Sequence, residues 1–290
     1  MAASCGKTGA GFDAWKKAYA AEASAQGVGP RGLAALADTS YATATIKADR
    51  NMHSFKLGLD AFMEKRGAAT IVSQGKKKKA QNAALFKKIE KKYGVPAGPL
   101  IAIWGMETAF GTYMGHQNTV SAVATLAYDC RRPDYFREQL IAALTLVDKG
   151  VLSSSSTGAM HGEVGQTQFL PKNVLLYGAS LNGGGIDLNE KSDALASTAN
   201  YLRGHGWRPG AGYQPGEPNY AALQEWNAAS VYQQALAIDP AYAEAWAQLS
   251  ATYLSQTRSG YREQDEGLKL SRQTAEKSLA LDPNLADAWA

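Results

Sequence analysis

Residues 100–111 read LIAIWGMETAFG, an apolar segment with helical spacing that carries one carboxylate, Glu107, close to its end. A lone glutamate among apolar side chains costs free energy unless it is paired or protonated. Desolvation is therefore expected to raise the pKa of Glu107 toward neutrality, and a carboxyl group that keeps its proton suits general-acid catalysis. The alternative is a structural glutamate that is hydrogen-bonded to the next helix.

Apolar side chains recur at three- or four-residue spacing along much of the chain, which predicts helices. No alternating strand pattern of comparable length accompanies them, so the sequence predicts an all-α fold. Pro99 is expected to start the helix that carries Glu107, because proline is tolerated in a first turn. The predicted helices cover residues 12–15, 55–62, 85–89, 100–107, 136–148, 171–177 and 192–203, and a further helix begins near Asn219.

Length and composition exclude several classes of protein. A chain of 290 residues suits one large or two modest domains, and its charged residues make up 19% of the total. No uncharged apolar run approaches the ~18 residues that a membrane-spanning helix needs, so we expect no membrane span. Residues 1–6 lack the basic and apolar regions of a secretory signal, and we expect any export signal to have been removed already.

Positive charge is concentrated in the first third of the chain. Up to Lys92 there are 17 Lys and Arg against 7 Asp and Glu, although the net charge of the whole chain is only +4. The lysines at 76–79, 87–88 and 91–92 suit a polyanion such as nucleic acid, a membrane surface or a wall polymer. The favoured alternative is a solvated helix face, because no aromatic residues interleave with them to stack bases. We therefore expect no nucleic-acid partner.

Other catalytic and metal-binding patterns receive little support. The four histidines are too scattered to form the HExxH zinc motif, and the serines form no GxSxG elbow. Cys5 and Cys130 form no CxxC pair and offer no zinc spacing, and they leave a disulfide open. The sequence predicts no metal site and no cofactor.

An internal repeat lies near the end of the chain. The stretch AIDPAYAEAW at 237–246 recurs as ALDPNLADAW at 280–289, an offset of 43 residues. Together with Leu249 and Tyr253 this pattern resembles the tetratricopeptide repeat, with one complete copy and two partial ones. We expect a short α-solenoid at 233–290, after a first domain at 1–232, with one helix at 219–238 shared by both.

Three further motifs occur in a fixed order, IWGMETAFG at 103–111, GEVGQTQFLP at 162–171 and ANYLRGHGW at 199–207. They resemble the lytic murein transglycosylases of the B type, over about residues 12–232. The resemblance implies a lysozyme-like helical domain. It also implies cleavage, without hydrolysis, of the β-1,4 bond between N-acetylmuramic acid (MurNAc) and N-acetylglucosamine (GlcNAc) in peptidoglycan, leaving 1,6-anhydroMurNAc ends.

The resemblance also assigns roles to residues. Glu107 would be the single catalytic group, first protonating the glycosidic oxygen and then accepting a proton from the muramyl C6 hydroxyl. A second carboxylate is not required, and Glu163 is assigned to loop structure. For Tyr201 and Trp226 core packing is the alternative. The residues expected to stack on or hydrogen-bond to sugar rings are Gln168, Tyr201, Trp226, Asn227 and Tyr232.

Two departures from the family pattern are visible. Ala159 stands where some relatives place a serine in the cleft. The loop at 180–187 stands where some relatives bind calcium, but it keeps only Asn182 and Asp187 as oxygen donors, so we expect no calcium there.

The expected setting and partners follow from the resemblance. Peptidoglycan lies in an oxidising compartment, so we expect a periplasmic protein with a disulfide between Cys5 and Cys130. Its partners would be glycan strands, together with a protein partner or a second copy of the chain through the repeat segment. The rival hypothesis is a catalytically silent peptidoglycan-binding scaffold that recruits partners through its repeats.

Overall fold

The described part of the chain is mainly helical, as the apolar spacing predicts. The computed structural model describes residues 4–50, 68–213, 217–223, 225–226, 250, 253–254, 257, 264–281 and 283. The chain separates into two compact units, Met1–Tyr201 and Leu202–Ala290. The predicted helix at 55–62 and the predicted domain boundary at 232 lie outside the described residues.

The first unit contains nearly all of the described helices and one minimal sheet. Strands β1 (Gln117–Asn118) and β2 (Thr157–Gly158) pair antiparallel. None of the described helices is long and apolar enough to cross a bilayer. The helices are α1 Phe12–Ala25, α2 Pro30–Ala37, α3 Thr43–Arg50, α4 Ala68–Gln81, α5 Ala83–Tyr93, α6 Ala97–Thr108, α7 Thr119–Tyr128, α8 Pro133–Asp148, α9 Pro171–Tyr177 and α10 Lys191–Gly204.

Local sequence explains where the helices near Glu107 begin and end. Helix α5 ends at Gly94, which adopts the left-handed conformation (φ 71°) that glycine tolerates. Helix α6 begins at Ala97, after Pro96 as its N-cap, so it starts two residues earlier than Pro99 suggests. Pro99 still lies in the first turn, where its missing N–H group has no helical partner to lose.

Helix α7 forms the centre of the first unit, because all ten of its residues are buried. Helix α8 packs against α7, α2 and α9. The carboxylate of Asp148 at the end of α8 accepts hydrogen bonds from Gly29 N (2.6 Å) and Gly32 N (2.8 Å) at the start of α2. A negative charge at a helix N-terminus is favourable, so this contact fixes α2 on α8.

Aromatic side chains and a disulfide join α1 and the arm before it to α7. The rings of Trp15 and Tyr19 stack with centroids 4.8 Å apart, and Phe12 contacts Tyr128 at 5.5 Å. Cys5 and Cys130 form a disulfide with sulfur atoms 2.11 Å apart, as expected for this pair. The N-terminal arm is thereby attached just after the end of α7.

A buried charged network joins α3 to the loop that follows β2. Asp49, whose side chain is 2% exposed, forms ion pairs with both Arg131 and Arg132. His161 Nε2 lies 3.7 Å from Asp49 Oδ1, and His161 Nδ1 lies 3.5 Å from Glu163 Oε1. Glu163 Oε2 also accepts a hydrogen bond of 3.1 Å from the backbone N–H of His161. The loop is therefore attached to α3 through His161.

The charges of this network favour a protonated His161. Burial lowers the pKa of His161, but the hydrogen bond and charge of Glu163, with the charge of Asp49, outweigh burial and leave the pKa raised. Burial raises the pKa of Glu163, but the hydrogen bond and charge of His161 outweigh it and leave that pKa lowered. The raised pKa of His161 and the lowered pKa of Glu163 are the shifts expected for an ion pair between the two side chains.

The second unit contains helix α11, Gln264–Leu281. Ser250, which is helical, donates a hydrogen bond of 2.8 Å from its hydroxyl to the backbone carbonyl of Ser271 in the middle of α11. The chain near residue 250 therefore contacts α11.

The disulfide should contribute measurably to stability. Cross-linking residues 125 positions apart restricts the unfolded chain, and on the chain-entropy account its loss costs ~3 kcal/mol or more. We expect dithiothreitol to lower the free energy of unfolding by this amount, measured by guanidinium titration, and to have no effect on the Cys5→Ser/Cys130→Ser variant. Thiol titration of the unreduced, denatured protein should find no free thiol, and finding two would refute the pairing.

The ion pair of His161 should make stability depend on pH. Because the folded-state pKa of His161 is raised, its contribution is complete below about pH 6.5, the unfolded pKa, and is lost as pH rises through the folded pKa. The lowered pKa of Glu163 means that the contribution is also lost in acid, below about pH 4.3.

We therefore expect His161→Gln to lower the free energy of unfolding by about 1.5–3 kcal/mol near pH 6 and by less near pH 9. His116 is exposed, and His116→Gln serves as the control, with little effect at either pH. Urea titrations at both pH values give the comparison. A loss that is equal at pH 6 and pH 9 would contradict the ion pair.

Candidate active site

Glu107 is the next-to-last residue of helix α6, and its side chain is half-buried. Ile103 and Trp104, one turn earlier, are 6% and 2% exposed. The carboxyl group thus emerges from an apolar helix end with partial access to solvent. The sequence predicts an apolar helix end around Glu107, and the role of Glu107 as a general acid stays a prediction.

The backbone after Glu107 is strained. Ala109, Phe110 and Gly111 have φ values of 48°, 62° and 84°, so three successive residues adopt the left-handed conformation. A left-handed residue other than glycine costs roughly 1–2 kcal/mol. In the described part of the chain, the third such residue is Gln168, in the hairpin that contacts this turn. Strain of this kind is typical of functional sites, where surrounding contacts hold it in place.

Aromatic packing holds the turn. The Phe110 ring is 7% exposed and meets Trp104 edge-on, with centroids 5.3 Å apart. Gly105 leaves room for this ring, because a Cβ atom there would lie 2.8 Å from Phe110 Cζ. Tyr113 N also donates a hydrogen bond of 3.0 Å to Thr108 O, which folds the chain back under the helix end.

A tight hairpin faces this turn. Val164 and Phe169 exchange two backbone hydrogen bonds, of 2.8 and 3.0 Å. The turn between them begins at Gly165 (φ 74°), where a Cβ atom would lie 2.3 Å from Leu188 Cβ. Only glycine fits there, so the GQTQF motif specifies the hairpin.

Gln166 connects the hairpin to α6. Its side-chain Oε1 accepts a hydrogen bond of 2.8 Å from Trp104 Nε1, and its backbone carbonyl accepts one of 2.6 Å from Thr108 Oγ1. Its Nε2 donates to the carbonyl of Asn189 at 2.5 Å. The two residues that Gln166 holds, Trp104 and Thr108, stand on either side of Glu107 in the sequence.

The sequence predictions give Gln166 no role. Its motif is part of the family resemblance, but nothing in the local pattern shows that its amide meets an indole N–H from a helix about 60 residues earlier. The available signal is the combination of a buried indole, which needs an acceptor, with a glutamine in a glycine-initiated turn.

Two of the predicted sugar-contacting residues differ in exposure, since Gln168 is half-buried and Tyr201 is buried. Gln168 is half-buried, and its Nε2 donates to Gly165 O (3.0 Å) and to Met114 O (3.4 Å). It therefore joins the hairpin to the loop after α6. Tyr201 is 4% exposed and packs edge-on against Phe169 (5.9 Å) and Tyr177 (5.0 Å), which corresponds to the core-packing alternative.

The remaining candidates belong to the second unit. Trp226 is helical and half-buried. Asn227 and Tyr232 lie outside the described residues. Their roles at the sugar stay predictions.

The glycine-rich loop at 180–187 is closed by protein groups. The Asp193 carboxylate accepts hydrogen bonds from Leu181 N (3.0 Å) and Asp187 N (3.2 Å). Asp187 Oδ1 accepts from Asn189 N at 2.9 Å, and Asn182 Oδ1 accepts from Lys88 Nζ at 3.1 Å. Across the described residues, no group of three or more His, Cys, Asp or Glu side chains is arranged to hold a metal ion.

Known proteins share this architecture. Over 137 residues the chain is 35% identical to membrane-bound lytic murein transglycosylase B of Escherichia coli K12, a match that spans 44% of this chain and 38% of that protein. SltB3 of Pseudomonas aeruginosa, solved in complex with NAG-anhNAM-pentapeptide, matches with 35% identity and a TM-score of 0.62, covering 69% of this chain and 54% of SltB3. The chain thus spans less than two thirds of either relative.

A third similarity is to the lytic transglycosylase Slt35 of E. coli, solved in complex with calcium. It has 25% identity and a TM-score of 0.59, and it covers 74% of this chain and 72% of Slt35. The family described as Transglycosylase SLT domain matches residues 11–216, which include Glu107, the hairpin and Tyr201. This match takes in well over half of the sequence, and the chain belongs to the transglycosylase SLT domain family.

Proposed function

We propose that the chain is a peptidoglycan lytic transglycosylase, which cleaves the β-1,4 bond between MurNAc and GlcNAc and leaves 1,6-anhydroMurNAc ends. The observation that carries the proposal is the half-buried Glu107 at the end of α6, between the two residues that Gln166 holds. Family membership and the similarity to SltB3 in complex with NAG-anhNAM-pentapeptide support it.

In the first step the protonated carboxyl group of Glu107 donates its proton to the glycosidic oxygen. The bond between that oxygen and C1 of MurNAc breaks, and GlcNAc leaves with a free C4 hydroxyl. General-acid catalysis of this kind requires a carboxyl group held at a fixed position. The hydrogen bonds of Gln166 to Trp104 and Thr108 provide that fixed position.

In the second step the Glu107 carboxylate accepts the proton of the muramyl C6 hydroxyl while O6 bonds to C1. The anhydro ring closes, no water is consumed, and Glu107 regains its proton. A retaining hydrolase would instead need a second carboxylate as nucleophile. Glu163 is not available for that role, because its carboxylate is engaged by His161.

The sugar rings would be held by residues that the family resemblance assigns. We assign Gln168, whose amide joins the hairpin to Met114, to the sugar by the family resemblance. We assign Trp226, Asn227 and Tyr232 to the same substrate by the family resemblance. Tyr201 would act indirectly, because its ring packs against the ring of Phe169 in the hairpin.

We infer that the loop at 180–187 works without calcium. A calcium ion takes six to eight oxygen ligands. The oxygens that this loop offers already accept hydrogen bonds from Lys88 and Asn189, and Asp193 closes the loop through two backbone N–H groups. The reaction steps above use no metal ion.

We also propose a periplasmic location and a protein-binding tail. The Cys5–Cys130 disulfide suits an oxidising compartment. The contact of Ser250 with Ser271, and the end of α11 at Leu281, are compatible with a tetratricopeptide segment at 233–290. Such a segment would bind a protein partner or a second copy of the chain.

The reaction products test the proposed function. Purified sacculi incubated with the protein should yield anhydromuropeptides, detected by mass spectrometry. Glu107→Gln keeps the shape of the side chain but cannot donate a carboxylic proton, so its turnover should fall by at least about 100-fold with unchanged circular dichroism.

Other product patterns would refute the proposal in distinct ways. Reducing-end muropeptides would indicate a hydrolase. No products, with retained binding to sacculi, would indicate the silent scaffold. Turnover of Glu107→Gln above a few per cent of the parent would show that another group supplies the proton.

The contact between Gly111 and Gln166 predicts a specific loss of activity. A Cβ atom at Gly111 would lie 2.6 Å from Gln166 Oε1, so Gly111→Ala must move the amide that holds Trp104. We expect kcat to fall roughly ten- to hundredfold, because small displacements of a catalytic group are costly.

Gly27→Ala is the matched control. Gly27 has a similar φ of 89°, and nothing lies within 4 Å of its Cβ position. Both variants should therefore lose about 1 kcal/mol of folding free energy through backbone strain, but only Gly111→Ala should lose activity. Urea titration and turnover of sacculi measure the two effects. Equal activity in both variants would show that Gln166 is not needed.

A further inference from the structure

Helices α4 and α5 carry an unusually dense positive surface. Residues 68–93 contain eight lysines and one glutamate, Glu90. Lys78 is half-buried, and the other seven are exposed, forming what we call the lysine face: Lys76, Lys77, Lys79, Lys87, Lys88, Lys91 and Lys92. On α5 these lysines alternate with Phe86, Ile89 and Tyr93, which are buried.

The lysine face adds little to the stability of the fold. Within the described part of the chain, no acidic side chain forms an ion pair with six of its members: Lys76, Lys77, Lys79, Lys87, Lys88 and Lys91. Like charges at this density repel one another. A surface that destabilises the isolated chain in this way is suited to an anionic partner.

One end of the lysine face adjoins the helix that carries Glu107. Helix α4 packs closely on α6, because a Cβ atom at Gly75 would lie 2.9 Å from Ile101 and one at Gly105 would lie 2.6 Å from Ile71. Lys78 Nζ lies 5.9 Å from the centroid of the Trp104 ring. Lys78, which directly precedes Lys79 of the lysine face, therefore lies against a residue about one helical turn before Glu107 in the sequence.

The other end reaches the glycine-rich loop. Lys88 on α5 donates its hydrogen bond to Asn182 in that loop. The lysine face extends over two helices, from residues 76–79 on α4 to residues 87–92 on α5, so it offers several charges to an extended chain. Its geometry suits a polymer better than a single small anion.

The residues of the lysine face decide among polyanions. Nucleic acid is disfavoured because α4 and α5 present no exposed aromatic ring for base stacking. A lipid surface is disfavoured because Val72 is the single large apolar side chain exposed on these two helices, which is too little for insertion. A peptidoglycan strand carries carboxylates on its stem peptides, and α4 packs on α6, the helix that carries Glu107.

We propose that the lysine face binds the stem-peptide carboxylates of the peptidoglycan strand whose glycosidic bond lies at Glu107. This inference rests on the proposed function. It adds that the enzyme recognises the charge of the uncut strand beyond the sugars at the cleavage site. Binding then depends on ionic strength, because exposed charges are screened by salt.

The test compares two triple variants with equal changes in net charge. Lys79→Glu/Lys87→Glu/Lys91→Glu reverses the lysine face, and Lys17→Glu/Lys149→Glu/Lys191→Glu reverses three exposed lysines, on α1, directly after α8 and on α10. Both are made in the Glu107→Gln protein, so that sacculi stay intact, and circular dichroism checks the fold. Co-sedimentation with purified sacculi measures Kd at 50 and 300 mM NaCl.

We expect the face variant to bind roughly tenfold or more weakly at 50 mM NaCl, and the control variant to change less than about twofold. At 300 mM NaCl the parent and the control variant should bind sacculi as weakly as the face variant does. Sacculi whose carboxylates have been converted to amides should bind all three proteins equally weakly.

Three results would overturn the inference. The first is an equal loss in both triple variants, which would indicate a net-charge effect. The second is undiminished binding to amidated sacculi. The third is a face variant that binds sacculi normally but loses binding to phosphatidylglycerol vesicles, which would assign the lysine face to a membrane. Failure of the proposed function would appear separately, as the absence of anhydro products from the parent with Glu107 intact.

Discussion

The hydrogen bonds of Gln166 to the end of α6 are the constraint on which the site depends. The turn from Ala109 to Gly111 is left-handed throughout, and in isolation it would relax. Gln166 prevents this by holding Trp104 through its amide and Thr108 through its carbonyl. The helix end that presents Glu107 is therefore rigid because a second segment, about 60 residues later in the chain, completes it.

The charged network around Asp49 extends this constraint outward. Glu163 directly precedes Val164, the first residue of the hairpin, and it is paired with His161, which faces Asp49 on α3. Asp49 in turn is fixed by Arg131 and Arg132, next to the disulfide-bonded Cys130. A buried ion pair adds little net stability, but breaking one partner leaves an uncompensated charge, so such networks resist movement.

Local patterns in the sequence predict most helices of the first unit, and they make Glu107 a candidate general acid while leaving a structural role open. Periodic apolar spacing predicts helices α1, α5, α6, α8, α9 and α10, since burial of one face decides them locally. Helix α7 has no polar face, because all ten of its residues are buried. Its sequence therefore lacks the alternation of apolar and polar residues that marks an amphipathic helix. Gln166, His161 and Asp49 act through partners far along the chain, and no local pattern reports such pairings. The family resemblance supplied the order of the motifs but not these contacts.

The proposed general acid and the proposed strand-binding surface need opposite electrostatic environments. In the proposed mechanism Glu107 holds a proton, which favours an apolar helix end with few competing charges. The proposed binding of a peptidoglycan strand through its carboxylates favours dense positive charge. Trp104, one helical turn before Glu107, has Lys78 over its ring and Gln166 on its indole nitrogen. In the proposed mechanism the lysines of α4 and α5 attract the strand, while the carboxyl group of Glu107 stays at an apolar helix end.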